Sequence, residues 1–224
     1  DDKIAIATNN HVIEGANSIY VTLDGDKSVP AKVVGTKSES DLAVLSVSWS
    51  DLKKAGVEKV TTATFGDSDD LEVGECVIAI GNAMGMGLSA TDGIVSMKEQ
   101  TINVDGNSLT VLQTSAAINS GNSGGALVNM KGEVIGINSA KLASTEVEGM
   151  GYAIPITRVS SIIEELMNET TRTKVSDDEK ASLGISGTGV SDEAAEAYGI
   201  PSGVFVSQVT EGGAAEQAGI TANS

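Results

Sequence analysis

Histidine occurs once in the 224 residues, at His11, and cysteine once, at Cys76. A single cysteine excludes an intrachain disulfide. One imidazole and one thiol also leave no His/Cys cluster of the kind that holds zinc, and the chain has no phosphate-cradling glycine loop. Neither a metal nor another cofactor is expected. Aromatic residues are scarce, at 3% against 40% hydrophobic, so the core must be built from Val, Ile, Leu and Ala. Basic residues are few as well: 14 Lys and Arg face 31 Asp and Glu, for a formal charge of −17. Such a surface repels phosphate backbones, which argues against nucleic acid as a partner, and reads as a well-solvated acidic exterior. No apolar run approaches the roughly 20 residues that cross a bilayer. A signal or anchor segment ahead of residue 1 stays compatible with that. The length accommodates one two-lobed domain and part of a second.

What the chain does contain is Gly121-Asn122-Ser123-Gly124-Gly125. A serine among glycines suits a tight turn on which backbone N–H groups converge, as an attacked carbonyl oxygen requires. The pentapeptide also fits the G-x-S-x-G elbow of α/β-hydrolases. That elbow needs a histidine after the serine, and none follows Ser123. A subtilisin-like order needs an aspartate well ahead of the histidine, and only Asp1 and Asp2 precede His11. The order His, Asp, Ser remains. His11 closes the run Ile4-Ala5-Ile6-Ala7-Thr8-Asn9-Asn10-His11, which predicts an imidazole at a strand end. Asp41 opens Asp41-Leu42-Ala43-Val44-Leu45-Ser46-Val47, which reads as a buried strand. A carboxylate at that strand mouth is sheltered. Asp24, Asp26 and Asp51 lie in Gly- or Ser-flanked turns. Asp41 is therefore the better partner for His11.

Four segments carry a family resemblance: Thr8-Asn9-Asn10-His11-Val12, Ser40-Asp41-Leu42-Ala43-Val44-Leu45, Gly74 to Asn82, and Gln113 to Leu127. Together they are similar to the HtrA/Deg family, trypsin-like serine proteases of protein quality control that usually carry C-terminal PDZ domains. The likeness continues through Gly151-Tyr152-Ala153-Ile154-Pro155. Turn signals at Asp24-Gly25, Asp105-Gly106 and Lys131-Gly132 separate short apolar segments, a pattern of antiparallel hairpins. The resemblance implies an all-β protease domain over residues 1–168. Its two six-stranded barrels are expected at about 1–70 and 71–154, with a helix at 156–168. Ile156, Val159, Ile162, Ile163 and Leu166 form a core-facing stripe on that helix. Cys76, inside the apolar run Val73 to Ile80, is expected to be a buried, inert thiol. Residues 169–181 read as a linker.

Residues 182–224 resemble the first part of a PDZ domain, with short helices at Ser191 to Tyr198 and Gly213 to Ala218. The resemblance makes Leu183, Gly184 and Ile185 the loop that receives a peptide's terminal carboxylate. Both ends of the chain look cut on this comparison. The full-length protein is then expected to be a homotrimer outside the cytoplasm, at the cell surface or in a periplasm, with a membrane anchor possible upstream. Residues 1–10 hold no aromatic residue of the kind that makes the family's trimer contact, so a weakened trimer or a monomer is expected here.

The residue types imply a mechanism. Ser123 Oγ is a weak nucleophile until a base takes its proton, and an imidazole, ordinarily titrating at about pH 6.5, does so near neutrality. Asp41 then fixes the imidazole tautomer. The N–H groups of Gly121 and Ser123 are expected to form the oxyanion hole. In trypsin-like enzymes the position six before the nucleophile floors the S1 pocket, and here it is Ala117. Ile118, Asn138, Ser139 and Ala140 are its expected walls, so small aliphatic P1 residues should be preferred. Asn122 stands where digestive relatives have Asp, and a neutral amide cannot pair with a new N-terminal ammonium. Activation is thus expected through ordering of loops rather than cleavage. Unfolded proteins or peptides are the expected substrates. A peptide-binding chaperone with a latent protease site is the alternative.

Overall fold

The computed structural model describes residues 2–23, 27–82, 87–104, 107–142, 149–169 and 181–222. The chain divides into two units, Asp1–Arg172 and Thr173–Ser224.

The first unit begins with an antiparallel sheet of β1 (Lys3–Thr8), β2 (Ile19–Leu23), β3 (Lys27–Lys37) and β4 (Leu42–Ser48) in the order β1-β4-β3-β2. The near-continuous apolar run of β4 puts it in the interior, with Leu42 to Val47 all buried. It is flanked by β1, in register from Lys3↔Ser48 to Thr8↔Ala43, and by β3. The expected first barrel of six strands is corrected here: among the described residues this sheet is open and has four strands. Closure would need further strands bridging the β1 and β2 edges. The residues after β4 instead form the short helix α2 (Trp49–Lys54) and an extended connection whose one bridge pairs Phe65 with Val134. An apolar hollow of about 660 Å³ lies along the sheet, lined by Ile4, Ile6, Val21, Val44, Ile137 and Ile156 among others.

The rest of the unit is a closed antiparallel barrel, ordered β10-β7-β6-β5-β8-β9. Its strands are β5 (Cys76–Gly81), β6 (Ser89–Val104), β7 (Asn107–Thr114), β8 (Ala126–Asn129), β9 (Val134–Asn138) and β10 (Gly151–Pro155). Val77, Ala79, Val95, Leu112, Leu127 and Ile135 fill it. Strand alternation that sends Val77 and Ala79 inward sends Cys76 outward. Cys76 is exposed, correcting the expectation of a buried thiol. The turn between β8 and β9 uses Gly132 at φ +79°, a conformation that favours glycine. The turns at Asp24-Gly25 and Asp105-Gly106 lie outside the described residues, though the flanking strands pair up to Leu23↔Lys27 and Val104↔Asn107.

Helix α3 (Ile156–Met167) packs against β3, β4, β9 and β10. It buries Ile156, Val159, Ile163 and Leu166, with Ile162 partly covered. Leu42 and Val44 of the sheet, Val111, Ile137 and Ile154 of the barrel, and these helix residues form one continuous core. Sheet and barrel are thereby held against each other. On the first turn of that helix, the Arg158 guanidinium has its pKa held above the ordinary value by its hydrogen bond to Glu99 and by the charge of Asp69. Within the expected linker, 170–180 lies outside the described residues.

The second unit pairs β11 (Ile185–Val190) with β12 (Gly203–Val209), alongside α4 (Asp192–Tyr198) and α5 (Ala214–Gln217). Among the described residues Val206 and Ala215 are its buried apolar side chains. Leu183 is exposed and Gly184 adopts φ +71°. The Leu183 and Gly184 carbonyls accept from the Ala215 and Thr210 amides, while the Gly184 N–H donates to Ser182 Oγ at 3.1 Å. Ile185 opens β11, paired with Val209.

Candidate active site

His11 follows the end of β1, which stops at Thr8. Asn9 is extended, and Asn10–Ile13 then make one helical turn, α1. The imidazole therefore sits on that turn, three residues past the observed end of β1, rather than at the strand terminus that the sequence predicts. Asp41 follows a 3₁₀ turn at Ser38–Ser40 and precedes β4 in the left-handed conformation, φ 50° and ψ 43°. Aspartate tolerates this region better than most residues with a Cβ. Asp41 is 5% exposed, and its carboxylate faces a ring of donors. The His11 backbone N–H donates to Oδ1 at 3.0 Å, and His11 Nδ1 lies 2.8 Å from Oδ2 and 3.0 Å from Oδ1. The Ser139 hydroxyl donates to Oδ2 at 3.1 Å. With Nδ1 facing a carboxylate, the neutral ring carries its proton there and leaves Nε2 as the acceptor.

Ser123 lies in the turn between β7 and β8. Three glycines permit its path. A Cβ on Gly124 (φ +79°) would collide with Thr8 Oγ1, one on Gly125 with the Ile80 carbonyl, and one on Gly81 with Asn122. The Gly124 N–H donates to the Asn138 carbonyl, and the Asn138 N–H to that of Gly125, each at 2.9 Å. Gly124 thus brings the serine turn against the end of β1, beside the segment that carries His11. Gly124→Ala combines backbone strain with overlap. It is expected to lower folded stability by about 3 kcal/mol, read from the shift of the denaturant midpoint.

Ser123 Oγ accepts from the Ala140 N–H at 2.8 Å, and Ser139, one residue earlier, touches Asp41. The segment Ser139–Ala140 therefore links the serine to the His11–Asp41 pair. Among the described residues no hydrogen bond joins Ser123 Oγ to the imidazole itself. The preceding loop is closed by two asparagines. Asn122, 4% exposed, donates from Nδ2 to the Ala117 carbonyl at 2.9 Å and accepts the Asn119 N–H on Oδ1 at 3.0 Å. The Gly121 N–H donates to Asn119 Oδ1 at 2.9 Å, so this amide is engaged within its own loop. Thr91 Oγ1 also donates to the Ala117 carbonyl, at 2.9 Å.

Of the other expected pocket residues, Ala117 is exposed, Ile118 and Ala140 are half-buried, and Asn138 and Ser139 are buried. Asn138 directs its amide to the Ile80 and Ala126 carbonyls, at 3.3 and 3.0 Å, and so braces the serine turn. Sequence reasoning missed the Ser139–Asp41 hydrogen bond and the engagements of Asn119 and Thr91. Only Asn119, within the quoted motif, carried any signal.

Comparison with known proteins gives this arrangement a context. The trypsin-like peptidase domain model matches residues 1–137. The serine protease Do-like HtrA of Lactobacillus helveticus is 45% identical over 224 residues, covering 96% of this chain and 52% of that protein. The periplasmic serine endoprotease DegP of Escherichia coli K12 is 40% identical over 225 residues, covering 99% and 44%. Among solved structures, the HtrA-type protease AlgW with decapeptide matches with a TM-score of 0.64 and 31% identity, covering 100% of this chain and 65% of that one. The chain spans about half the length of the curated relatives it matches. With the family model matching more than half of the chain and relatives 40–45% identical over nearly all of it, the chain belongs to the trypsin-like peptidases, in their HtrA/Deg group.

Proposed function

We propose that this chain is the peptidase portion of an ATP-independent serine endopeptidase that cleaves unfolded or misfolded proteins outside the cytoplasm. The observation that carries the reading is the Asp41 carboxylate gripping both the backbone N–H and Nδ1 of the only histidine, with Ser123 tethered one residue from Ser139. In the reaction Ser123 Oγ attacks the substrate carbonyl carbon while His11 Nε2 takes the hydroxyl proton. The tetrahedral oxyanion accepts from the Gly121 and Ser123 N–H groups, each such donor supporting about 3 kcal/mol of barrier lowering. His11 then protonates the leaving amine. Water repeats the sequence on the acyl-enzyme. The Gly121 N–H donates to Asn119 Oδ1 at rest, so substrate must displace that side chain, consistent with activation by loop ordering.

Ala117, Ile118, Ser139 and Ala140 give an S1 pocket without a carboxylate at its floor, with Asn138 as a brace behind it. Val, Ala or Leu at P1 is the preference this supports. Leu183, Gly184 and Ile185 would take a peptide C-terminus. Assembly as a homotrimer belongs to the same reading, and the DegP and DegQ relatives, described as periplasmic, support the extracytoplasmic placement. Reduced, unfolded casein should be cut without ATP and in excess chelator, with fragments ending mainly after small aliphatic residues by mass spectrometry. No fragments, or cleavage chiefly after Arg and Lys, would contradict the proposal.

A further inference from the structure

Asn9 is fully buried, at 0% exposure, two residues before His11. Its Nδ2 donates to the Asp41 carbonyl at 3.0 Å, and that same carbonyl accepts the Asn10 N–H at 3.1 Å. Its Oδ1 is buried with no hydrogen-bond partner. A buried amide normally satisfies both ends, so only the donor end of Asn9 is in use. Reversing the amide would set oxygen against oxygen, which fixes its orientation.

The carbonyl it holds belongs to an unusual residue. Asp41 is the only non-glycine at positive φ among the described residues. Left-handed backbone on a residue with a Cβ persists where its surroundings over-determine it. Here the β1–β4 ladder stops at Thr8↔Ala43. Past that pair, Asn10 N–H and Asn9 Nδ2 are what hold the Asp41 carbonyl, while the Asp41 N–H donates to the Ser38 carbonyl at 3.0 Å. With its N–H and carbonyl both fixed, the residue presents its carboxylate to His11 Nδ1 and to Ser139. The Gly124 turn closes the other side, where a Cβ on Gly124 would come within 3.2 Å of the Asn9 backbone nitrogen.

We propose that Asn9 is a positioning residue for the proposed reaction: its Nδ2 clamps Asp41 in the left-handed conformation that aims the carboxylate at the imidazole. It touches neither substrate nor the reacting atoms. The inference rests on the reading of His11, Asp41 and Ser123 as the catalytic group.

Asn9→Leu is the sharpest variant. It keeps the volume, removes the unpartnered oxygen, and leaves the Asp41 carbonyl its Asn10 donor, so the fold should persist. A residue that only filled space would be replaced well by leucine. Asn9→Asp is the second variant, with the same shape but no amide donor. Two measurements are read on each. One is the rate of Ser123 labelling by a fluorophosphonate. The other is the downfield proton resonance of His11 Nδ1–H, unambiguous because the chain has one histidine. The wild type should label and show the resonance. Both variants should label 10- to 100-fold more slowly and lose or shift that resonance upfield, with kcat falling and KM within about twofold. A folded variant that labels within twofold of wild type and keeps the resonance overturns the proposal, as does slower labelling with an unchanged resonance. If the wild type itself fails to label while folded, the catalytic reading falls and takes this inference with it. If the wild type labels and Asn9→Leu labels equally, only the role of Asn9 falls. Should Asn9→Leu not fold, Asn9→Asp decides by the same two readouts.

Discussion

Ser123→Ala is expected to lower kcat on unfolded casein by about 10⁴- to 10⁶-fold while leaving the protein folded. The hydroxyl is the only atom group removed. Among the described residues its one hydrogen bond is from the Ala140 N–H, and the turn is held by other contacts: Gly124 N–H on the Asn138 carbonyl, Gly125 N–H on that of Asn122, and the Asn138 amide on Ala126. Stability should therefore change by less than about 1 kcal/mol. The activity that remains would reflect transition-state binding without a nucleophile. Turnover is followed by release of labelled casein fragments, and folding by the thermal transition. A variant that retains more than about one-hundredth of the wild-type rate would remove Ser123 from the chemistry.

Asp41→Asn should be the next most damaging change, at about 10⁴-fold in kcat. Three donors converge on this carboxylate: the His11 N–H, His11 Nδ1–H and the Ser139 hydroxyl. A carboxamide offers one oxygen and one NH₂ in place of two oxygens. Wherever the NH₂ points, it faces a donor. Pointed at Nδ1, it makes that nitrogen the acceptor and moves the ring proton to Nε2, where it blocks acceptance of the Ser123 proton. Fluorophosphonate labelling and casein turnover should fall in parallel, with KM little changed. Asparagine also tolerates the left-handed backbone, so the loss should appear in kcat rather than in folding. A fall in stability that matched the fall in rate would point instead to a structural role for Asp41.

The pairing of His11 with Asp41 was legible because two local patterns agreed. An apolar run ending near His11 and a buried strand beginning after Asp41 become β1 and β4, which are neighbours in the sheet. The α3 stripe was legible because one 3.6-residue period spans the whole segment. Cys76 was misjudged because a strand's period of two decides burial only once its phase is known. That phase is set by barrel neighbours distant in sequence, Asn129 on β8 and Ile94 on β6. The open sheet departs from the expected closed barrel because closure depends on which strand edges meet, a property of pairing that a hairpin pattern leaves open. Asn9 illustrates a further limit. It is visible inside a motif, yet its role depends on the φ of Asp41 and on a carbonyl 32 positions away. Asn119 is similar, since nothing local says that its Oδ1 takes the Gly121 N–H.

The central claim is that Ser123, activated by His11 and Asp41, is the nucleophile. It is tested most directly by treating the folded chain with a fluorophosphonate and locating the adduct by peptide mass spectrometry. The account predicts one adduct per chain, on the peptide containing Gly121-Asn122-Ser123-Gly124-Gly125, absent in Ser123→Ala and strongly slowed in Asp41→Asn. No adduct on the folded protein, or an adduct that survives Ser123→Ala, would contradict it.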